Sequence, residues 1–237
     1  MFNPNPKLQL IPIPGQSPCI VIDDFLLAPE LLVDGAARFR TKFGMAPNNA
    51  FPGLEMRMPE DFSARVNEFF IQHVRKLLGA RRTLGLFTRL SMVTLKPHEL
   101  RAYQRICHVD TLSHDPTLCY AASVLYLFKN PELGGTSFYT PKISKQEIVH
   151  MYSSQSEWVN MTSEDCTRRL GAAPNYLLDS NDMFELVCTV PPAWNRVLFY
   201  DGGIFHSSHI QRPDLLSGDP LQGRLTLNGF FTCRRSA

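Results

Sequence analysis

The sequence lacks most of the features that would classify it early. None of its six cysteines (19, 107, 119, 166, 188 and 233) falls in a CxxC spacing, so a zinc knuckle or a thioredoxin-like redox pair has no support. No apolar run approaches the roughly 20 residues that a membrane span requires. Pro4, Pro6, Pro12 and Pro14 interrupt the start of the chain, where a signal peptide would need a continuous apolar stretch. There is no repeat, no low-complexity tract and no Gly/Ser linker. Charge of one sign is also missing: the formal net charge is +2, too small to imply a nucleic-acid or membrane partner. These absences lead to the expectation of a reduced, cytoplasmic protein forming one domain over residues 1–237. A chain of this size buries roughly 70–75% of its unfolded surface and needs no disulfide staple.

What is present divides near residue 83. The first part reads as helical support. After the proline-rich lead and a short strand at Cys19–Phe25, a helix is expected over Ala28–Phe43, with Leu32, Ala36, Phe39 and Phe43 on one face. A second helix has stronger signals. Phe62, Val66, Phe69, Phe70, Val74 and Leu77 form a stripe, Glu60 and Asp61 open it, and Gly79 caps its end. His73 lies on that stripe and reads as a packed side chain. Residues 84–237 read as a β core of eight short strands: Leu90–Leu95, Gln104–Asp110, Tyr120–Phe128, Thr136–Thr140, Phe184–Val190, Asn195–Tyr200, Phe205–Ile210 and Arg224–Cys233. Between the fourth and fifth lies a partly helical insert, residues 141–182, with an N-cap expected at Thr162. Eight strands behind a helical lead predict a mainly β fold, a closed or double-sheet jelly roll.

The candidate chemistry begins at His108-Val109-Asp110. Strand residues two apart share a face, so this imidazole and carboxylate can reach one point together. A third ligand must come from elsewhere, and His206 is the candidate. Two histidines and a carboxylate with open positions opposite are the facial triad of non-haem Fe(II) oxygenases. By itself, HxD arises by chance in many proteins and fits a hydrogen-bonded pair at a strand end better than a metal site. In Arg224-Leu225-Thr226-Leu227-Asn228 the polar residues alternate onto one face. That face either meets water or lines an interior where an arginine fork clamps a carboxylate. Periodicity leaves both open.

The order of motifs adds to this. HxD is followed by Val124-Leu125-Tyr126-Leu127, Gly134-Gly135-Thr136-Ser137-Phe138, Val197-Leu198-Phe199 before His206, and Gly223-Arg224-Leu225-Thr226. With the early Val21-Ile22-Asp23-Asp24-Phe25-Leu26, the series resembles the prolyl-4-hydroxylase branch of the Fe(II)/2-oxoglutarate-dependent dioxygenases. The resemblance implies a double-stranded β-helix with iron on His108, Asp110 and His206. It further implies that Arg224 and Thr226 hold the far carboxylate of 2-oxoglutarate, with the Tyr126 hydroxyl added. The expected activity is hydroxylation of an unactivated C–H bond, coupled to decarboxylation of 2-oxoglutarate to succinate. Phe128 and Arg105 depart from the family pattern near the cosubstrate or substrate pocket, and Pro213–Pro220 looks like an inserted loop. The substrate, whether a protein residue, an amino acid or a metabolite, is therefore not carried over.

Other groups compete for these roles. His209, three after His206, points to the opposite strand face. His114 and Asp115 read as surface residues or supports of the ligands, and Asp201 before two glycines reads as a turn residue. His98 and His150 have no supporting pattern, and Cys107 faces away from its neighbour His108. The alternative function is a non-catalytic β-barrel module that binds a small ligand, since fold does not fix function. A zinc hydrolase on the same three ligands leaves Arg224 without a role. Residues 141–182 are expected to act as a lid over the site, the alternative being that their apolar residues merely cover one sheet of the barrel.

Overall fold

The structure is a computed structural model that describes residues 1–45, 51–111, 115–153 and 157–236. Two antiparallel sheets dominate it. Strands β1 (Leu8–Ile11), β2 (Cys19–Ile22), β3 (Gly53–Arg57), β4 (Ala80–Val93), β5 (Leu118–Tyr126), β8 (Val197–Asp201) and β10 (Arg224–Arg235) form the large sheet in the order β1-β2-β8-β5-β10-β4-β3. Strands β6 (Gly135–Pro141), β7 (Phe184–Val190) and β9 (Phe205–His209) form the small one in the order β7-β6-β9. This is the mainly β, double-stranded β-helix architecture.

Side-chain parity explains the layering. On one face of the large sheet Ile20, Ile22, Leu125, Phe199, Leu225, Leu227 and Phe231 are buried under α1 (Glu30–Arg38) and α2 (Glu60–His73). Phe70 of α2 stacks on Phe231 with ring centroids 4.0 Å apart, and His73 packs on Phe69. The other face, carrying Val21, Ala122, Tyr126, Leu198 and Tyr200, closes against Phe138 and Val190 of the small sheet. One end of this intersheet space stays open as the cavity described below.

Several boundaries differ from expectation, each for a local reason. The first helix stops at Arg38 and continues only as a 3-10 turn at Arg40–Lys42, leaving Phe39 exposed. Gly79 does take the left-handed conformation (φ 67°), ending a 3-10 turn that follows α2. The lead is not solely helical, because β1 and β2 pair with each other and β3 pairs with β4 at the opposite sheet edge. Strand β4 begins at Ala80, ten residues before the expected Leu90, because it pairs along the whole of β10, out to Ala80 opposite Arg235.

Gln104–Asp110 is not a strand. Ala102–Gln104 is a 3-10 turn, and only a single bridge, His108 to His206, joins this segment to the small sheet. The insert holds α3 (Lys145–Met151), α4 (Glu157–Asn160) and α5 (Ser163–Leu170), with Thr162 capping α5 by accepting from the Asp165 amide. Met151, Trp158 and Cys166 pack with Tyr139, Phe184 and Phe205 on the outer face of the small sheet. The insert thus covers the small sheet, as the alternative to a lid expected, and it also supplies Tyr176 and Leu177 to the cavity lining. No helix among the described residues is long and apolar enough to cross a membrane.

Candidate active site

His108, Asp110 and His206 meet at the inner face of the small sheet, their ligand atoms all within 4.8 Å of one another. The backbone fixes this convergence. The amides of His108 and His206 each donate to the other's carbonyl at 2.9 Å, and the Asp110 amide donates to Gly202 O at 2.8 Å. One antiparallel rung at His108 and a single further bond at Asp110 thus set these two side chains beside His206 without a full strand. Gly202 allows the close approach, for a Cβ there would stand 3.1 Å from Asp110 Oδ2.

The state of each ligand follows from its neighbours. His206 Nδ1 lies 2.8 Å from Ile204 O, a carbonyl that can only accept. Nδ1 therefore carries the proton, and Nε2 presents its lone pair 3.8 Å from Asp110 Oδ2. Burial first, and then the neighbouring His206 ring and the Arg89 charge, hold the His108 pKa well below the ordinary range, so this imidazole is neutral. Burial raises the Asp110 carboxyl, while His206 and Arg89 oppose the rise. Asp110 Oδ2 is buried with no hydrogen-bond partner among the described residues. An orphaned carboxylate oxygen beside two imidazole lone pairs is a donor set that suits a divalent cation.

The competing residues are elsewhere. His209 hydrogen-bonds through Nδ1 to Ser137 Oγ at 2.9 Å, away from the triad. Asp115 accepts from the Thr117 amide and hydroxyl in a surface turn, and Asp201 accepts from the Gly203 amide in another. His98 and His150 are exposed, Cys107 is buried among insert contacts, and His114 lies outside the described residues.

The triad opens into a cavity of about 590 Å³ that also reaches Arg224, Thr226 and Thr136. Arg224 is 2% exposed. Its Nε and Nη2 donate to Gly134 O and Gly135 O at 3.1 and 2.8 Å, and its guanidinium lies against the rings of Tyr126 and Phe128. Its Nη1 takes part in neither bond. Gly134 sits at φ 86°, where a Cβ would collide with His209 O at 1.9 Å, so glycine is required where the carbonyls turn toward Arg224.

Two expectations shift in detail. Tyr126 does not line the cavity but stands behind Thr136, their hydroxyls 2.8 Å apart, so Thr136 presents the polar atom instead. Arg105 faces away from the cavity and donates to Ser163 O, Thr167 Oγ1 and Ala172 O, clamping the insert. Sequence reasoning passed over Thr136, Tyr176 and Arg89 as lining residues. Thr136 was visible within Gly-Gly-Thr. Arg89 was visible only by pairing strands, since it stands opposite Asn228 on the polar face.

A family model described as "Family of unknown function (DUF6445)" matches residues 4–231. Among curated proteins, none matches the sequence. Solved structures with a similar path include a prolyl-4-hydroxylase from Pseudomonas putida, with 14% identity, 94% of this chain and 95% of that one covered, and TM-score 0.47. HygX from Streptomyces hygroscopicus, with nickel and 2-oxoglutarate bound, gives 12% identity, coverage of 93% and 83%, and TM-score 0.48. The epimerase SnoN, in complex with Fe3+, alpha ketoglutarate and nogalamycin RO, gives 12% identity, coverage of 93% and 82%, and TM-score 0.49. At such identities the function of this chain has to be read from its own side chains.

Proposed function

The chain belongs to the family of unknown function DUF6445, and from its site we propose that it is an Fe(II)- and 2-oxoglutarate-dependent dioxygenase. The observation that carries this is the buried, partnerless Asp110 Oδ2, set between two histidine donors in a cavity that also holds a buried arginine. Iron with 2-oxoglutarate and dioxygen supplies the power to oxidise an unactivated C–H bond, 2-oxoglutarate leaving as succinate and carbon dioxide. The protein's share is to hold, orient and exclude water.

His108, Asp110 and His206 would hold the metal. Arg224 attracts the far carboxylate of 2-oxoglutarate through its Nη1 side, with the Thr136 and Thr226 hydroxyls nearby. A mere binding module has no use for an open-faced donor triad, and a zinc hydrolase has none for a buried guanidinium. The six free cysteines fit the reducing, cytoplasmic setting expected from the composition.

Equilibrium dialysis of the full chain against Fe(II) or Zn(II) tests the ligand set. The native protein is expected to bind one metal ion. His108→Ala, Asp110→Ala and His206→Ala should each lose it, and His209→Ala should keep it. Loss in His209→Ala with retention in His206→Ala would contradict the assignment.

A further inference from the structure

The end of the cavity away from Arg224 has a character of its own. Arg89 on β4 and Arg57 on β3 are cross-strand neighbours, and both line it together with Phe51, Phe87 and Phe230. Arg89 is mostly buried, its guanidinium packed against the rings of Phe230 at 4.8 Å and Phe51 at 5.7 Å. Glu55 does not line the cavity but holds Arg89 Nη1 at 2.7 Å. Arg89 Nε is buried with no hydrogen-bond partner among the described residues. His108, Asp110 and His206 line the same cavity as Arg89, which puts this end beside the triad.

We propose that this end is the substrate subsite, and that Arg89 anchors the carboxylate of a substrate whose body is apolar or aromatic. Burying a guanidinium without using all its donors is costly, and a buried partnerless Nε calls for an acceptor. Glu55, bound to Nη1, fixes the side chain and leaves the Nε side free. That side of an arginine matches two coplanar carboxylate oxygens. Arg57 stands across the strand pair from Arg89, so a charged acceptor answers this pair of guanidinium groups better than a neutral one. The rings of Phe51, Phe87 and Phe230 supply the apolar walls for the rest of the molecule. An anchored carboxylate beside the triad then decides which carbon faces the metal. The inference rests on the dioxygenase reading in one respect, that the Arg224 end is taken by 2-oxoglutarate.

The test uses the full chain loaded with Zn(II) and saturated with 2-oxoglutarate. 3-Phenylpropionate and its neutral amide are titrated separately by ligand-observed NMR. The acid should bind more tightly than the amide by on the order of tenfold, the worth of a charged hydrogen bond. Arg89→Gln should erase that difference while still binding metal. Equal binding of acid and amide to the native chain, failure of the acid to bind, or a preference surviving in Arg89→Gln overturns the proposal. The first two outcomes need no substitution, so a folding defect cannot hide them. The 2-oxoglutarate signals in the same samples separate the two readings. Acid preference at Arg89 without 2-oxoglutarate binding would leave this subsite standing and defeat the dioxygenase, whereas 2-oxoglutarate binding without acid preference would defeat the subsite alone.

Discussion

Asp110 is held by contacts that its own side chain does not make. Its amide is tied to Gly202 O, and the absence of a Cβ on Gly202 leaves room for Oδ2. Gly202→Ala would place a methyl 3.1 Å from that oxygen and 3.3 Å from the Asp110 Cβ. The variant should therefore fold, yet bind metal about tenfold more weakly, as changes around metal ligands typically do. Calorimetric titration with Zn(II) checks this, and unchanged affinity would mean that the glycine serves only the turn. The HxD pair and His206 were legible from residue type and order, because a ligand set needs particular chemistry. Arg89 was not, because a polar residue on a strand looks the same whether its face meets water or a cavity. Only the pairing of β4 with β10, which sets Arg89 opposite Asn228, tells the two cases apart.

Elements are joined here by a few polar clasps as well as by the apolar layers. At the end of β2, Asp23 receives two hydrogen bonds from Arg196 Nε and Nη2, at 2.6 and 3.0 Å, just before β8. Next to it the Asn195 side chain pairs with both the amide and the carbonyl of Leu26. The hydrogen bond from Arg196, with its charge, holds the Asp23 carboxyl below the ordinary 3.8, although partial burial opposes this. A carboxyl depressed in the folded state stabilises fully above its unfolded pKa, and that contribution is lost as pH falls through the folded value. Asp23→Asn should therefore melt below the native protein at pH 7, and the gap should close as the pH is taken below about 3.8. A gap constant with pH would show that the clasp acts through shape rather than charge. The strand between Gln104 and Asp110 was expected from its motif and does not form, since the 3-10 turn at Ala102–Gln104 feeds Arg105 into the insert instead. Strand β1 was hidden by its flanking prolines, which are tolerated because it is an edge strand.

Taken whole, the molecule is a helix-backed large sheet closed by a small sheet, with the insert laid over the small sheet's outer face. The double-stranded β-helix was legible from strand spacing and motif order. The insert's role was not, because an apolar helical stripe reads alike over a sheet or over a mouth. The path of the chain brings the triad on one wall and Arg224 on the other to a single cavity, and the account stands on that convergence. Anaerobic addition of Fe(II) and then 2-oxoglutarate to the full chain tests it most directly. The account predicts a weak visible charge-transfer band that saturates at one equivalent of each, is absent in Asp110→Ala, and in Arg224→Gln requires much more 2-oxoglutarate. No band in the native chain at saturating metal and 2-oxoglutarate, or the same 2-oxoglutarate requirement in Arg224→Gln, would contradict it.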